Sequence, residues 1–140
     1  MKFSQQTSFI VDSNLNCLKT VLAQYEALKP DWINGKDWLE CQLALAEGFT
    51  NAVRHAHKNM PPETAIEINI SITSVCLEIK IWDYGQPFNL TAFKQSLSSA
   101  NEQSTGGRGI EILDKVADEL RYDRHLDNRN CLTIKKTLNH

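Results

Sequence analysis

The chain has 140 residues, of which 41% are hydrophobic and 23% are charged, and its formal net charge is −2. This length fits one domain covering residues 1–140, and the composition is ordinary for a globular protein. The small negative charge argues against direct nucleic-acid binding, and the lack of a polybasic run in the sequence argues against a membrane-surface protein.

The N-terminal part of the chain predicts a strand and then a helix. Residues from Phe3 to Val11 include enough Thr, Phe, Ile and Val to form a strand. Asp12 or Ser13 can then cap a helix that stops before Pro30, because a residue preceding proline disfavours helical backbone. The apolar positions of this helix are Leu15, Leu18, Val21, Leu22 and Leu28.

The longest predicted helix runs from about Asp37 to Lys58, after a loop that contains Asn34-Gly35. Its apolar residues recur at helical spacing and form one face. These residues are Trp38, Cys41, Leu45, Phe49, Ala52, Val53 and Ala56. Pro61-Pro62 ends the helix, because proline lacks the amide hydrogen that a continuing helix needs.

A β-hairpin is predicted next, because the apolar period changes from 3.6 to 2. A tight turn at Thr73-Ser74 separates the two strands, and one face of the hairpin is expected to be buried. The alternating apolar residues are Ile66, Ile68, Ile70 and Ile72 in the first strand, and Val75, Leu77, Ile79 and Ile81 in the second.

The C-terminal part predicts one more helix and two more strands. Residues 85–109 are polar and contain glycine, with a candidate short helix at 90–97, and we expect residues 90–103 to form a mobile lid. A helix is predicted from about Arg108 to Leu120, followed by strands over 119–126 and 130–138. The order β-α-α-β-β-α-β-β indicates an α+β fold, a two-layer α/β sandwich with helices on one face of a mostly antiparallel sheet.

The cysteines and the N-terminus point to no special compartment or metal centre. Cys17, Cys41, Cys76 and Cys131 are far apart and form no CxxC pair, so we expect small buried side chains rather than a zinc or redox site. The first residues have no apolar signal core, and no apolar run is long enough to span a bilayer, so we expect a cytoplasmic protein.

The first candidate functional feature is the segment from Glu47 to His55 on the long helix. At about 100° per residue, Glu47, Asn51 and His55 fall within an arc of roughly 80° on the side away from the apolar face. Asn51 could be one oxygen ligand of Mg²⁺, which keeps several waters beside substrate phosphates, and Glu47 could orient or deprotonate a nucleophile. A solvated helix face is the alternative interpretation.

Two further features lie nearer the C-terminus. Asp83 and Gly85 end the second hairpin strand, where a carboxylate can accept from an exocyclic amine and glycine allows close approach of a ligand. The segment Gly106-Gly107-Arg108-Gly109 precedes a predicted helix and could offer amide groups to phosphates, with Arg108 adding a charged contact. An ordinary turn and a flexible loop are the respective alternatives, and the spacing is not that of a Walker A motif.

Together these three features resemble the signature boxes of the GHKL (histidine-kinase-like) ATPase superfamily, ExxxNxxxH, DxG and a glycine-rich lid end, in the family's order. Among its members, the sequence is most similar to the short bacterial anti-sigma-factor serine/threonine kinases. The segments that carry the resemblance are 47–55, 83–88 and 106–113, and the closing segment 130–136 also fits. Pro87 stands where the usual DxGxG box has its second glycine.

The resemblance implies a role for each matching residue. Glu47 would be the general base for the attacking hydroxyl, and Asn51 would bind Mg²⁺ beside ATP. Asp83 would bind the adenine amino group, with Thr133 assisting through water, and Gly85 would shape the adenine pocket.

The glycines Gly106, Gly107 and Gly109 would close a lid on the phosphates. Arg54 and Arg108 are either phosphate contacts or surface arginines.

The function implied by the resemblance is ATP-dependent phosphorylation of a serine or threonine on a small STAS-type antagonist. Such proteins also sequester a sigma factor or a comparable client, usually as homodimers, in a partner-switching pathway. An ATP-binding partner-switch module with little kinase activity is the alternative. The catalytic domain of a sensor histidine kinase is a weaker third alternative, because the sequence has no preceding dimerisation helix pair with a phospho-acceptor histidine.

Overall fold

Five antiparallel strands lie side by side in the order β1-β2-β3-β5-β4 in a computed structural model that describes residues 4–86 and 105–138. For residues 105–110 it describes the backbone only. The strands are β1 Gln5–Asp12, β2 Ala65–Ile72, β3 Cys76–Asp83, β4 Glu119–Arg124 and β5 Asn130–Thr137. The helices are α1 Leu18–Glu26, α2 Gly35–Asn51 and α3 Thr105–Val116, with a 3₁₀ turn at Leu15–Cys17 and a π-helical turn at Ala52–Ala56.

The core lies between the sheet and the helices. The alternating isoleucines of β2 are buried and pair across the sheet with the buried residues of β3, for example Ile68 with Ile81 and Ile70 with Ile79. Ile79 in turn lies opposite Ile134 of β5. Helix residues such as Phe49 close this layer from above. The predicted α+β sandwich, with helices on one face of an antiparallel sheet, is confirmed.

Helix α2 is positioned by its cap and by one glycine. The side chain of Asn34 accepts from the amide of Lys36 at 2.7 Å, which satisfies one of the free amides at the start of the helix. A Cβ atom at Gly48 would lie 2.6 Å from Cδ1 of Ile81. Gly48 therefore lets the backbone of α2 pack directly on the Ile81 side chain of β3.

The structure corrects several predicted boundaries. The helix predicted after β1 is capped by Asn14 rather than Asp12 or Ser13, and it starts with a 3₁₀ turn. The long helix loses α-helical geometry after Asn51 and becomes a π-helical turn. Val75 lies in the hairpin turn and is 63% exposed, so it does not share the buried face of β3.

The structure also corrects the glycine-rich segment. Helix α3 begins at Thr105, so the backbone of Gly106, Gly107, Arg108 and Gly109 is helical rather than a loop ahead of a helix. Glycine opposes helix formation by about 1 kcal/mol relative to alanine, which tertiary packing against α2 can offset.

Of the cysteines, Cys41 and Cys131 are buried as expected, whereas Cys17 and Cys76 are only half-buried.

Some predictions fall outside the described residues. These are the short helix at 90–97, the lid at 90–103 and the position of Pro87. Within the described part of the chain, no helix is both long and apolar enough to cross a membrane.

Candidate functional site

Asp83 ends β3 with a buried carboxylate, only 3% exposed, that accepts three hydrogen bonds. Its Oδ1 accepts from the Gly85 amide at 2.8 Å and from Nδ2 of Asn130 at 2.9 Å. Its Oδ2 accepts from the Tyr122 hydroxyl at 2.8 Å. A carboxylate has about four lone-pair sites, so among the described residues Oδ2 keeps one site for a further donor.

The turn after Asp83 is held from two neighbouring strands. The bond from the Gly85 amide to Asp83 is a local turn of the kind that aspartate favours. The Gly85 carbonyl accepts from Nδ2 of Asn130 at 2.9 Å and from the Arg124 guanidinium at 3.0 Å. Both the carboxylate and the backbone of the turn are therefore fixed before any ligand binds.

Tyr122 completes this buried group. Burial and the neighbouring Asp83 carboxylate raise the pKa of Tyr122 far above its ordinary value. The phenol therefore stays protonated and remains a hydrogen-bond donor to Asp83 at all physiological pH values.

The same turn packs directly on the end of the α2 segment. A Cβ atom at Gly85 would lie 2.5 Å from the backbone oxygen of Ala56, a contact that no side-chain motion could relieve. One residue further, Nε2 of His57 accepts from the amide of Tyr84 at 2.8 Å. The end of β3 and the end of the long helix are thus joined at two adjacent points.

His57 is buried, with 3% of its surface exposed. Burial lowers the pKa of His57, and the nearby Asp83 carboxylate partly opposes that effect. Because Nε2 accepts a hydrogen bond, the neutral ring carries its proton on Nδ1. That buried Nδ1 has no hydrogen-bond partner among the residues that the structure describes.

The predicted helix stripe lies next to this junction. Glu47 and Asn51 are half-buried on the last turns of α2, and Asn51 is the final α-helical residue before the π-helical turn. His55 lies beyond it and is exposed. Burial and the charges of Arg54 and Lys58 lower the pKa of His55, so at neutral pH it adds no positive charge there. The structure therefore brings the first and second predicted boxes together.

For the glycine-rich segment 106–109, the structure describes the backbone. Helix α3 packs against α2, so its backbone lies on the element that carries Glu47 and Asn51. Gly106 and Gly107 lie in its first turn, where the amides have no acceptor within the helix and can meet an anion, and Gly109 follows in the next turn. The side chain of Arg108 is outside the described part.

The sheet register contradicts the expected partnership of Thr133 with Asp83. Asn130 is the residue directly opposite Asp83, and side chains alternate between the two faces along a strand. Thr133 is three positions further along β5, so it lies on the other face, between Lys80 and Arg121. The prediction for Thr133 is therefore wrong, and Asn130 takes the place beside Asp83.

Four residues of this site were missed by the sequence analysis. They are His57, Tyr122, Arg124 and Asn130. The alternation along β5 could have indicated Asn130. Every second residue counted back from the buried Leu132 and Ile134 lies on the core face, so Asn130 lies there too, and a buried polar side chain needs a hydrogen-bond partner. No comparable pattern marked His57, because the π-helical turn breaks the helical period just before it.

The residues present fit an adenine nucleotide with Mg²⁺. The remaining acceptor site on buried Asp83 suits an exocyclic amine, and the half-buried Asn51 offers one neutral oxygen. Among the described side chains, no three His, Cys, Asp or Glu residues are grouped to hold a metal ion by themselves.

The structure is thus an α+β sandwich with a buried carboxylate at a strand end, packed on a helix that offers an amide and a carboxylate. The chain belongs to the histidine kinase-like ATPase domain family, which matches residues 13–136.

The chain is similar to several curated serine-protein kinases named RsbW. It is 27% identical over 92 residues to that of Bacillus subtilis, covering 61% of this chain and 57% of the relative. It is 29% identical over 87 residues to that of Staphylococcus epidermidis, covering 58% and 55%. For Bacillus licheniformis the identity is 24% over 106 residues, covering 71% and 65%. The match thus spans less than two thirds of each of these relatives.

A solved structure confirms the fold. The chain superposes on the crystal structure of the RsbU and RsbW domains of a Mycobacterium tuberculosis protein with a TM-score of 0.66 and 16% identity. The match covers 97% of this chain and 33% of that one. At this identity the likeness supports the shared fold alone.

Proposed function

We propose that this protein binds ATP with Mg²⁺ and transfers a phosphoryl group to a serine or threonine of a partner protein. The observation that carries the proposal is the Asp83 turn, whose buried carboxylate is fixed by Asn130 and Tyr122 and packed on the end of the long helix. Similarity to curated serine-protein kinases supports the choice of acceptor.

The chain's residues divide the work of this reaction. Asp83 would accept from the adenine amino group, and Gly85 keeps the turn close to Ala56, which fixes the position of that carboxylate. When bound, ATP would supply the phosphoryl group and leave as ADP, and Mg²⁺ would offset the negative charge of the phosphates. Asn51 holds the ion through its side-chain oxygen, and Glu47 accepts the proton of the attacking hydroxyl.

The amides at the start of α3 face the phosphates in this proposal. Gly106, Gly107 and Gly109 leave the backbone open to a close approach there, and Arg108 adds a charged contact. Positioning and electrostatics carry most of the catalysis in phosphoryl transfer, so this cradle matters as much as Glu47.

The partners in this proposal follow the relatives. The accepting protein is a small STAS-type antagonist, and the unmodified antagonist releases a sigma factor or comparable client that a homodimer of this protein otherwise sequesters. In this proposal the protein acts in the cytoplasm. Similarity to RsbW proteins supports partner switching as the general setting.

ATP binding is tested first, by titration calorimetry with and without Mg²⁺. The native chain is expected to bind in a Mg²⁺-dependent manner, and Asn51→Ala is expected to lose that dependence. Asn16→Ala is the matched control, because Asn16 is exposed on the 3₁₀ turn at the start of the first helix. If the native chain does not bind ATP, the proposed function is wrong.

Transfer is tested second, with Glu47→Gln and the exposed Glu63→Gln as a pair. Glu47→Gln should bind ATP normally and transfer at least about a hundredfold more slowly, the usual contribution of a general base. If Glu47→Gln transfers at the native rate, Glu47 is not the general base. ATP binding without transfer by the native chain to any candidate antagonist would favour the binding-module alternative.

A further inference from the structure

His57 occupies the junction between the long helix and the Asp83 turn without being one of the residues assigned to the reaction. It follows the π-helical turn directly and is buried, whereas Lys58 beside it is exposed. Its Nε2 accepts from the Tyr84 amide at 2.8 Å. Tyr84 is the residue between Asp83 and Gly85, so this bond holds the middle of the turn.

The bond requires one particular tautomer. An Nε2 atom that accepts from a backbone amide cannot carry a proton, so the neutral ring is protonated on Nδ1. That Nδ1 is buried and has no partner within the described residues, which costs free energy that an apolar side chain would not incur. The hydrogen bond that His57 accepts from the Tyr84 amide is therefore the one described contact that a leucine at this position could not make.

The surroundings of His57 keep the ring neutral. From β3 it faces the Asp83 carboxylate and the ring of Tyr84, whose centroid is 6.4 Å away. Arg54, His55 and Lys58 lie on its own segment, and all three are exposed. Burial is the largest influence and lowers the pKa of His57, while Asp83 raises it.

We propose that His57 is a positioning residue for the nucleobase subsite: its unprotonated Nε2 fixes the Tyr84 backbone to the end of the long helix, and this aims the free acceptor site of Asp83 at the exocyclic amine. The inference rests on the proposed nucleotide site. It predicts that His57 sets the preference for adenine over a base without that amine, because this preference depends on the placement of Asp83.

The test compares binding of ATP and inosine triphosphate, in which a carbonyl oxygen replaces the amine. His57→Leu removes the acceptor and keeps an apolar side chain of similar bulk. His57→Gln places an amide oxygen near the position of Nε2 and can still accept from Tyr84. The preference for ATP should fall by about tenfold in His57→Leu and stay near native in His57→Gln, since one hydrogen bond is worth about that factor.

The outcomes separate the two proposals. If the native chain prefers ATP and His57→Leu keeps the full preference, the positioning role is overturned and the nucleotide site stands. If the native chain binds no ATP, the proposed function fails and the inference with it. An equal loss in His57→Leu and His57→Gln would also overturn the role, because acceptor capacity would then make no difference.

A second measurement needs no folded variant. Long-range ¹⁵N–¹H correlation spectra of the native chain distinguish the two neutral tautomers of His57. The expected result is a proton on Nδ1, together with slow exchange of the Tyr84 amide. A proton on Nε2 would overturn the proposal, because Tyr84 would then have no acceptor.

Discussion

Asn130 lies directly opposite Asp83 in the sheet and donates to its Oδ1 at 2.9 Å. The same amide nitrogen donates to the carbonyl of Gly85 at 2.9 Å. One side chain thus holds both the carboxylate and the backbone of the turn, and the pairing of β3 with β5 sets the geometry of the candidate site. The site is consequently a product of sheet register as much as of the turn sequence.

Replacing Asn130 should therefore weaken nucleotide binding, whereas replacing Thr133 should not. Asn130→Ala removes one of the two donors to Asp83 Oδ1 and one of the two donors to the Gly85 carbonyl, which should lower the free energy of unfolding by about 1–3 kcal/mol. We expect ATP binding to weaken by about tenfold or more, because the turn loses its anchor. Calorimetric titration and urea unfolding measure the two effects.

Thr133→Val is the control for this comparison, because its side chain is buried on the other face of the sheet. It should bind ATP as the native chain does. A loss of binding in Thr133→Val alone would contradict the placement of the site.

Tyr122→Phe removes the hydroxyl that donates to Oδ2 of Asp83. A hydrogen bond to a charged group contributes about 1.5–3 kcal/mol, so the free energy of unfolding should fall by about that amount. Tyr84→Phe is the matched control, because the Tyr84 side chain is exposed. Urea unfolding measures the free energy of unfolding of both variants. Equal values for Tyr122→Phe and Tyr84→Phe would show that the Tyr122 hydroxyl does not stabilise the protein.

The sequence was sufficient to predict the strands of the sheet, and it also singled out part of the candidate site, whose residue roles stay predictions. Strict alternation of isoleucines predicted the hairpin, and Glu47, Asn51, Asp83 and Gly85 were found from local patterns. Local patterns work for such residues because each belongs to one element whose period is intact.

The rest depended on relationships between elements. Asn130 and Tyr122 reach Asp83 only because β5 and β4 pair in a particular register, and a shift of one residue would turn both away. His57 is buried because the π-helical turn at Ala52–Ala56 ends the 3.6-residue period. If α2 continued as a regular α-helix, His57 would lie five turns after the exposed Leu39, on the same solvent-facing side.

Gly85→Ala should disrupt the turn, because the added Cβ would meet the backbone oxygen of Ala56 at 2.5 Å. Overpacking of this kind costs about 1–3 kcal/mol, and the displaced turn should weaken ATP binding as well. Thermal unfolding and titration report the two losses.

Gly35→Ala is the contrasting variant, since nothing lies within 4 Å of its added Cβ. It should be neutral or stabilise the protein by about 0.4–1 kcal/mol through lower entropy of the unfolded chain. Destabilisation of both variants by the same amount would contradict the close contact at Gly85.

Stability should decrease as the pH falls below neutrality, and His57 should account for part of that decrease. Its pKa in the folded protein is lowered by burial, whereas the unfolded chain has the ordinary value near 6.5. Between the two values the unfolded chain binds the extra proton, so the contribution of neutral His57 is complete above about pH 6.5 and is lost as the pH falls towards the folded pKa. Urea unfolding of the native chain between pH 8 and pH 5 measures this loss. His57→Gln should show a smaller decrease over the same range, because glutamine does not titrate. Identical pH profiles for the native chain and His57→Gln would mean that His57 titrates equally in the folded and unfolded chains, against its burial.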